Sequence, residues 1–148
     1  MRDSRHNARI LALQKLFEDY FHSSNRYGEL SEKFSLDKIK KIDEIEIFDE
    51  KLYNLIIENL PKHVEEIDKI ISILAPEWPI EKIAPTDLQI LRVAILEGFI
   101  LTVTPEKVAI DEAIELTKEF CNDQSRKFVS GVLGNLIENK YKYLQNGT

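Results

Sequence analysis

The chain has 148 residues, 43% of them hydrophobic, with only 5 glycines and 5 prolines. That suits one domain with a real core and disfavours a fold of many short strands and tight turns. The net charge of −6 counts weakly against nucleic acid as a partner, the single Cys121 excludes an internal disulfide, and no Cys/His spacing suits a zinc site.

The opening residues, Met1 to Arg9, lack the apolar stretch of a signal peptide. No run of about 18 apolar residues is present, so no membrane span is expected and a cytoplasmic protein is the default. Residues 1–15 hold Arg2, Arg5, Arg9 and Lys15 against Asp3, a local charge of +3 on an otherwise acidic chain. A basic tip of this kind can hold a phosphate backbone, because the field that matters is local.

From about Ser4 to His22 the spacing predicts an amphipathic helix. Ile10, Leu13, Phe17 and Tyr20 recur at helical intervals, and Leu16 and Phe21 widen the stripe. Arg2, Arg5, His6 and Arg9 continue the same line. Four such residues do not enter a core unpaired. Their turn is expected either to project past the bundle or to fray until an anion orders it.

Ser23 to Gly28 reads as a loop, with a short helix around Glu29 to Phe34 and an irregular connection over 35–47. Lys38, Lys40 and Lys41 are followed there by Asp43, Glu44, Glu46, Asp49 and Glu50. A solvated surface with carboxylates near a helix start explains this acidic run better than a metal site. From Phe48 to Leu74 the period continues through Pro61, which predicts one kinked helix. Ala75 to Pro79 is a clear break, with Trp78 expected to seal the core edge.

Thr86 to Leu101 leaves almost no polar face and predicts a central buried helix. Thr86 is its expected N-cap, with Gln89 three residues on. After a loop over 102–107, a helix is expected from about Val108 to Cys121. A last one follows from about Gln124 to Leu144, capped by Asn122 and Asp123. Gly131 and Gly134 inside it are expected to mark a close helix crossing, since each costs up to about 1 kcal/mol relative to alanine. Arg92 is expected to pair with a carboxylate such as Glu112 or Glu115. No strand pattern competes, so the fold class is all-α.

Enzyme signals are absent: no Gly-rich phosphate loop, no nucleophile elbow, no zinc-protease motif. His6, His22 and His63 are dispersed. Cys121 ends a helix, where the dipole disfavours a thiolate. No catalytic residue, metal or cofactor is expected.

Three motifs change what can be said about function. They read Asp87-x-x-Ile-Leu-Arg-x-Ala94-x-x-Glu97, then Pro105-x-x-Val-Ala-Ile-Asp-Glu-Ala-Ile-Glu-Leu-x-Lys118-x-Phe120, then Ser125-x-x-Phe-Val-x-Gly-Val-Leu. In this order they resemble the NusB family of transcription antitermination factors. Ala8-Arg9-x-x-Ala12-x-Gln14-x-Leu16-Phe17 is similar to the family's first helix. About 23–75 matches in helical character only.

The resemblance implies a single NusB-like domain over 1–148, built from two packed three-helix sub-bundles of about 1–76 and 77–148. It implies binding of boxA-type RNA from ribosomal RNA leaders together with the ribosomal protein NusE, in support of the RNA polymerase elongation complex. It leaves open a homodimer that hides the basic tip. For RNA contact it points to Arg2, Arg5, His6, Arg9, Phe17, Lys127 and Phe128, and for the partner face to Asp87. The last helix's Phe128 and the first helix's Phe17 each read equally as core. His6 and Asn7 stand where the family usually has arginines, so weaker RNA binding is expected, with a protein-binding adapter as the alternative. With the sequence ending at Thr148, the methyltransferase domain to which some similar domains are fused is not expected.

Overall fold

The computed structural model describes residues 3–24 and 44–140. Arg2, the expected short helix at 29–34, the lysine run at 38–41, Tyr141 and Leu144 lie outside the described residues. Among the described residues all regular structure is helical. The chain forms two compact units, Met1–Glu58 and Asn59–Thr148.

In the first unit, α1 spans Ser4–Ser24. Asp3 starts it: its Oδ1 accepts the Arg5 N–H at 3.2 Å and its carbonyl accepts the Asn7 N–H at 3.1 Å. The side chain thus satisfies one of the donors that a helix start leaves unpaired, and the carbonyl accepts the first intrahelical bond. Ala8, Ile10, Ala12, Leu13, Leu16 and Phe17 are buried, as the stripe predicts. A segment without regular structure over 45–49 is tied to α1 by Asn7 Nδ2 donating to Ile47 O at 2.9 Å and Asp49 N donating to Ser4 O at 3.0 Å. Asp49 then caps α2, Glu50–Leu74, by accepting the Leu52 N–H on Oδ1 at 3.0 Å.

α2 is one continuous helix through Pro61, and the division between the units falls inside it. In the second unit the chain leaves α2 at Leu74, passes a single turn of 3-10 helix at Ile80–Lys82, and enters α3, Pro85–Ile95. The start of α3 differs from expectation. Ala84 is the N-cap and Pro85 the first helical residue, with no side-chain cap. Proline suits that position because its missing N–H has no partner there in any case. Leu88, Ile90, Leu91, Val93, Ala94, Ile95 and Leu96 are buried, so the nearly all-apolar stretch does form the centre of this unit.

The helix does not stop at Ile95 but widens into a π turn, Leu96–Ile100. Leu101 N donates to Leu96 O at 2.8 Å, and Val103 and Thr104 N–H groups both reach back to Glu97 O, at 3.0 and 3.3 Å. Thr104 Oγ1 donates to Glu97 Oε1 at 2.8 Å in a buried contact. Thr102 takes a φ of 52°, which reverses the chain into α4, Glu106–Phe120. α5 follows over Asp123–Lys140, started by Asn122, whose Oδ1 accepts the Ser125 N–H at 2.9 Å. α3 packs on both α4 and α5, and α4 lies along α5. Lys140 and Glu106 close the far end of that pair at 2.7 Å.

The close crossing sits elsewhere than expected. A Cβ on Gly131 or Gly134 would meet nothing within 4 Å, whereas one on Gly98 would come within 2.9 Å of the Ala109 Cβ. The π turn brings its backbone against α4 there, and only glycine leaves room.

Candidate nucleic-acid interface

The sequence-predicted site residues fall into one group in each unit. On α1, Arg5 is half-buried, while His6, Arg9 and Phe17 are buried, with Arg9 only 2% exposed. The turn that carries them is formed from Ser4 onward and is not frayed. A guanidinium can be held this deeply only with compensating interactions, and Arg5, His6 and Arg9 all have partners. Phe17 serves as core in this state.

The second group surrounds a cleft of about 540 Å³ between the 78–84 connection, the start of α3 and the start of α5. Trp78, Lys82, Asp87, Ser125 and Phe128 line it. Trp78 is half-exposed and does not seal the core. It meets the Phe128 ring edge-on, with centroids 6.2 Å apart and planes at 69°. Lys127, the residue before Phe128 on α5, is exposed. Helical geometry explains the arrangement: Phe128 and Ser125, three residues apart, share a face of α5.

Asp87 is 6% exposed. Burial raises its carboxyl above its ordinary value, and hydrogen bonds from Ser125 and Cys121 partly oppose the rise. Its Oδ1 has no hydrogen-bond partner among the described residues. Such an atom stays costly until a donor reaches it.

The fold thus brings Asp87 and Phe128 to one cleft, with Lys127 beside it. Sequence reasoning missed Lys82, Ser125 and Cys121 as neighbours of Asp87. The Asn122 capping signal places Ser125 in the first turn of α5, but no local pattern joins that turn to the start of α3. Among the described residues no group of three or more His, Cys, Asp or Glu side chains is placed to hold a metal. No helix among them is long and apolar enough to cross a membrane.

A model of the NusB family matches residues 6–138. The chain belongs to the NusB family. Transcription antitermination protein NusB of Lactiplantibacillus plantarum is 36% identical over 139 residues, covering 93% of this chain and 96% of the relative. The NusB of Oceanobacillus iheyensis is 37% identical over 134 residues, covering 90% and 98%. Among solved structures, T. maritima NusB superposes with a TM-score of 0.69 at 26% identity, covering 93% of each chain. A structure of antitermination factors NusB and NusE in complex with dsRNA gives a TM-score of 0.68 at 23% identity, covering 93% of this chain and 98% of that one, a likeness of fold. The described residues of this NusB-family chain therefore share the all-helical NusB fold.

Proposed function

We propose that this protein is a non-catalytic, cytoplasmic transcription antitermination factor. It binds boxA-type RNA of ribosomal RNA leaders together with NusE and acts on the RNA polymerase elongation complex. The observation that carries this reading is the family match over residues 6–138, joined to relatives named as antitermination proteins. A related fold solved with NusE and dsRNA supports the choice of partners.

The cleft supports the RNA side of the reading. Lys127 is exposed, and Phe128 and Trp78 offer aromatic surface on which an unpaired base can stack. The α1 cations Arg2, Arg5, His6 and Arg9 are assigned to RNA by the resemblance, and Phe17 with them. The same resemblance turns the Asp87 side toward NusE. Because that carboxylate is itself buried, the rim around it makes the contact.

One observation favours a second reading. His6 and Arg9 are buried and engaged, so α1 presents fewer cations than its sequence suggests. An adapter that binds NusE with little RNA affinity has the same fold. The experiment is a fluorescence-polarisation titration of boxA RNA with and without NusE, beside a NusE pull-down without RNA. RNA binding that NusE strengthens supports the factor. NusE capture with no RNA binding at any salt concentration selects the adapter.

A further inference from the structure

We propose that the cleft between α3 and α5 is a nucleobase site selective for guanine, with Asp87 reading the base edge. This rests on the RNA-binding reading, names the base that the site takes, and gives the Asp87 carboxylate to RNA, leaving NusE the surface around the cleft.

Asp87 lines the cleft, is 6% exposed, and has an Oδ1 without a hydrogen-bond partner among the described residues. Ser125 and Cys121 lie at the carboxyl and partly stabilise its charge, while no donor among the described residues reaches Oδ1. A carboxylate offers about four acceptor sites on two oxygens. The complementary ligand therefore carries N–H donors, and the surroundings decide which kind.

A cationic side chain from a protein is one candidate, but the cleft carries lysines of its own. Lys82 lines it and Lys127 is exposed beside Phe128, while Arg126, one residue further back on α5, is paired with Asp123 at 3.8 Å. The positive ends of two helices, α3 at Pro85 and α5 at Asp123, border the same space. This rim favours a ligand that is anionic at its edge and bears N–H groups at its centre. A nucleotide has that polarity: phosphate outside, base inside.

The aromatic pair supplies the remaining wall. The Trp78 ring rests edge-on against Phe128 and is half-exposed. An entering base displaces the Trp78 edge and stacks on the Phe128 face. The cleft volume of about 540 Å³ lies within the range of small-ligand sites.

The donor pattern then selects the base. Guanine alone presents two adjacent donors, N1–H and the N2 amino group, on its Watson–Crick edge. Adenine and cytosine place a ring-nitrogen acceptor beside a single amino group. Uracil flanks its one N–H with two carbonyls. Only guanine meets both carboxylate oxygens without setting an acceptor against an acceptor.

Trp78 is the single tryptophan in the chain, so its emission reports on the cleft directly. The probes are uridine oligoribonucleotides carrying one central guanosine, inosine or adenosine, titrated against the full chain. We expect the guanosine oligomer to shift Trp78 emission and to bind about tenfold tighter than the adenosine oligomer, the scale of one bidentate base contact. Inosine, which lacks the amino group, falls between them. In Asp87→Asn the preference for guanosine disappears. In Lys82→Gln all oligomers weaken alike and the preference stays. Equal affinity for guanosine and adenosine, or a preference that survives Asp87→Asn in a variant with native helical content, overturns the assignment. Tight boxA binding alongside either result leaves the RNA-binding reading standing. Failure of every RNA to bind, with NusE present, removes both.

Discussion

Arg92 of α3 holds Asp68 of α2 in a two-pronged ion pair, Nε to Oδ1 at 2.9 Å and Nη2 to Oδ2 at 2.7 Å. The partner expected from the sequence was Glu112 or Glu115. The pairing with a carboxylate holds, and the carboxylate is a different one. The side chains are 13% and 24% exposed, so water screens the pair only partly. Removing one partner leaves a poorly solvated charge. Asp68→Ala is expected to lower the unfolding free energy by about 2–3 kcal/mol, less than the ~3–5 kcal/mol of a fully buried pair. Urea unfolding measures it. The double change Asp68→Leu with Arg92→Met is expected to cost less than Asp68→Ala alone.

Gly98 against Ala109 makes a second prediction. An added Cβ 2.9 Å from the Ala109 methyl has no flexible neighbour to displace. Gly98→Ala is expected to cost about 1–3 kcal/mol by overpacking, with partial recovery in Gly98→Ala plus Ala109→Gly. Gly131→Ala and Gly134→Ala meet open space. Both are expected to stabilise by up to about 1 kcal/mol through helix propensity. Thermal unfolding of the four variants separates the cases, and a stable Gly98→Ala protein contradicts the crossing.

The buried Asp87 carboxyl predicts a pH dependence of definite sign. Its folded value lies above the ordinary 3.8, chiefly because burial disfavours the charge. The folded state therefore binds the proton first as pH falls. Above the folded value the ionised group is a liability that unfolding relieves, and between that value and 3.8 the liability is lifted. Asp87→Asn, which carries no charge, is expected to be more stable than the parent at pH 7 by on the order of 1 kcal/mol. That advantage narrows as pH approaches 4. Denaturant titrations of both proteins at pH 7, 5.5 and 4.5 give the difference. An advantage that is flat with pH contradicts an ionised, desolvated Asp87.

The two groups of proposed RNA residues are expected to respond differently to alanine. Lys127 is exposed, so Lys127→Ala leaves stability within about 0.5 kcal/mol. It reduces the slope of log affinity against log salt by about 0.7 for a single-stranded target. Phe128→Ala removes a stacking surface worth about 1–3 kcal/mol per base. Arg9, at 2% exposure, is part of the structure in this state. Arg9→Ala is expected to lower stability by about 1–3 kcal/mol in addition to any loss of RNA. Calorimetry beside RNA titration distinguishes them, and an Arg9→Ala protein of full stability means that the side chain is dispensable to the fold.

Helical identity was legible in the chain because its signals are local. The stripe from Ile10 to Phe17, the apolar run from Leu88 to Leu96 and the Asn122 cap each act within one or two turns. They are sufficient to make a helix and choose its buried face. The family motifs from Asp87 to Leu133 extended that reading to function, because a resemblance carries information that periodicity does not. Tertiary structure alone decided which side chains meet. Arg92 reaches Asp68 across 24 positions, Gly98 accepts Ala109 because a π turn shifts the backbone, and Asp87 is buried beside Cys121, which ends α4, and Ser125, in the first turn of α5. Partner choice, desolvation and close packing depend on distances between elements, and spacing along one helix does not encode them.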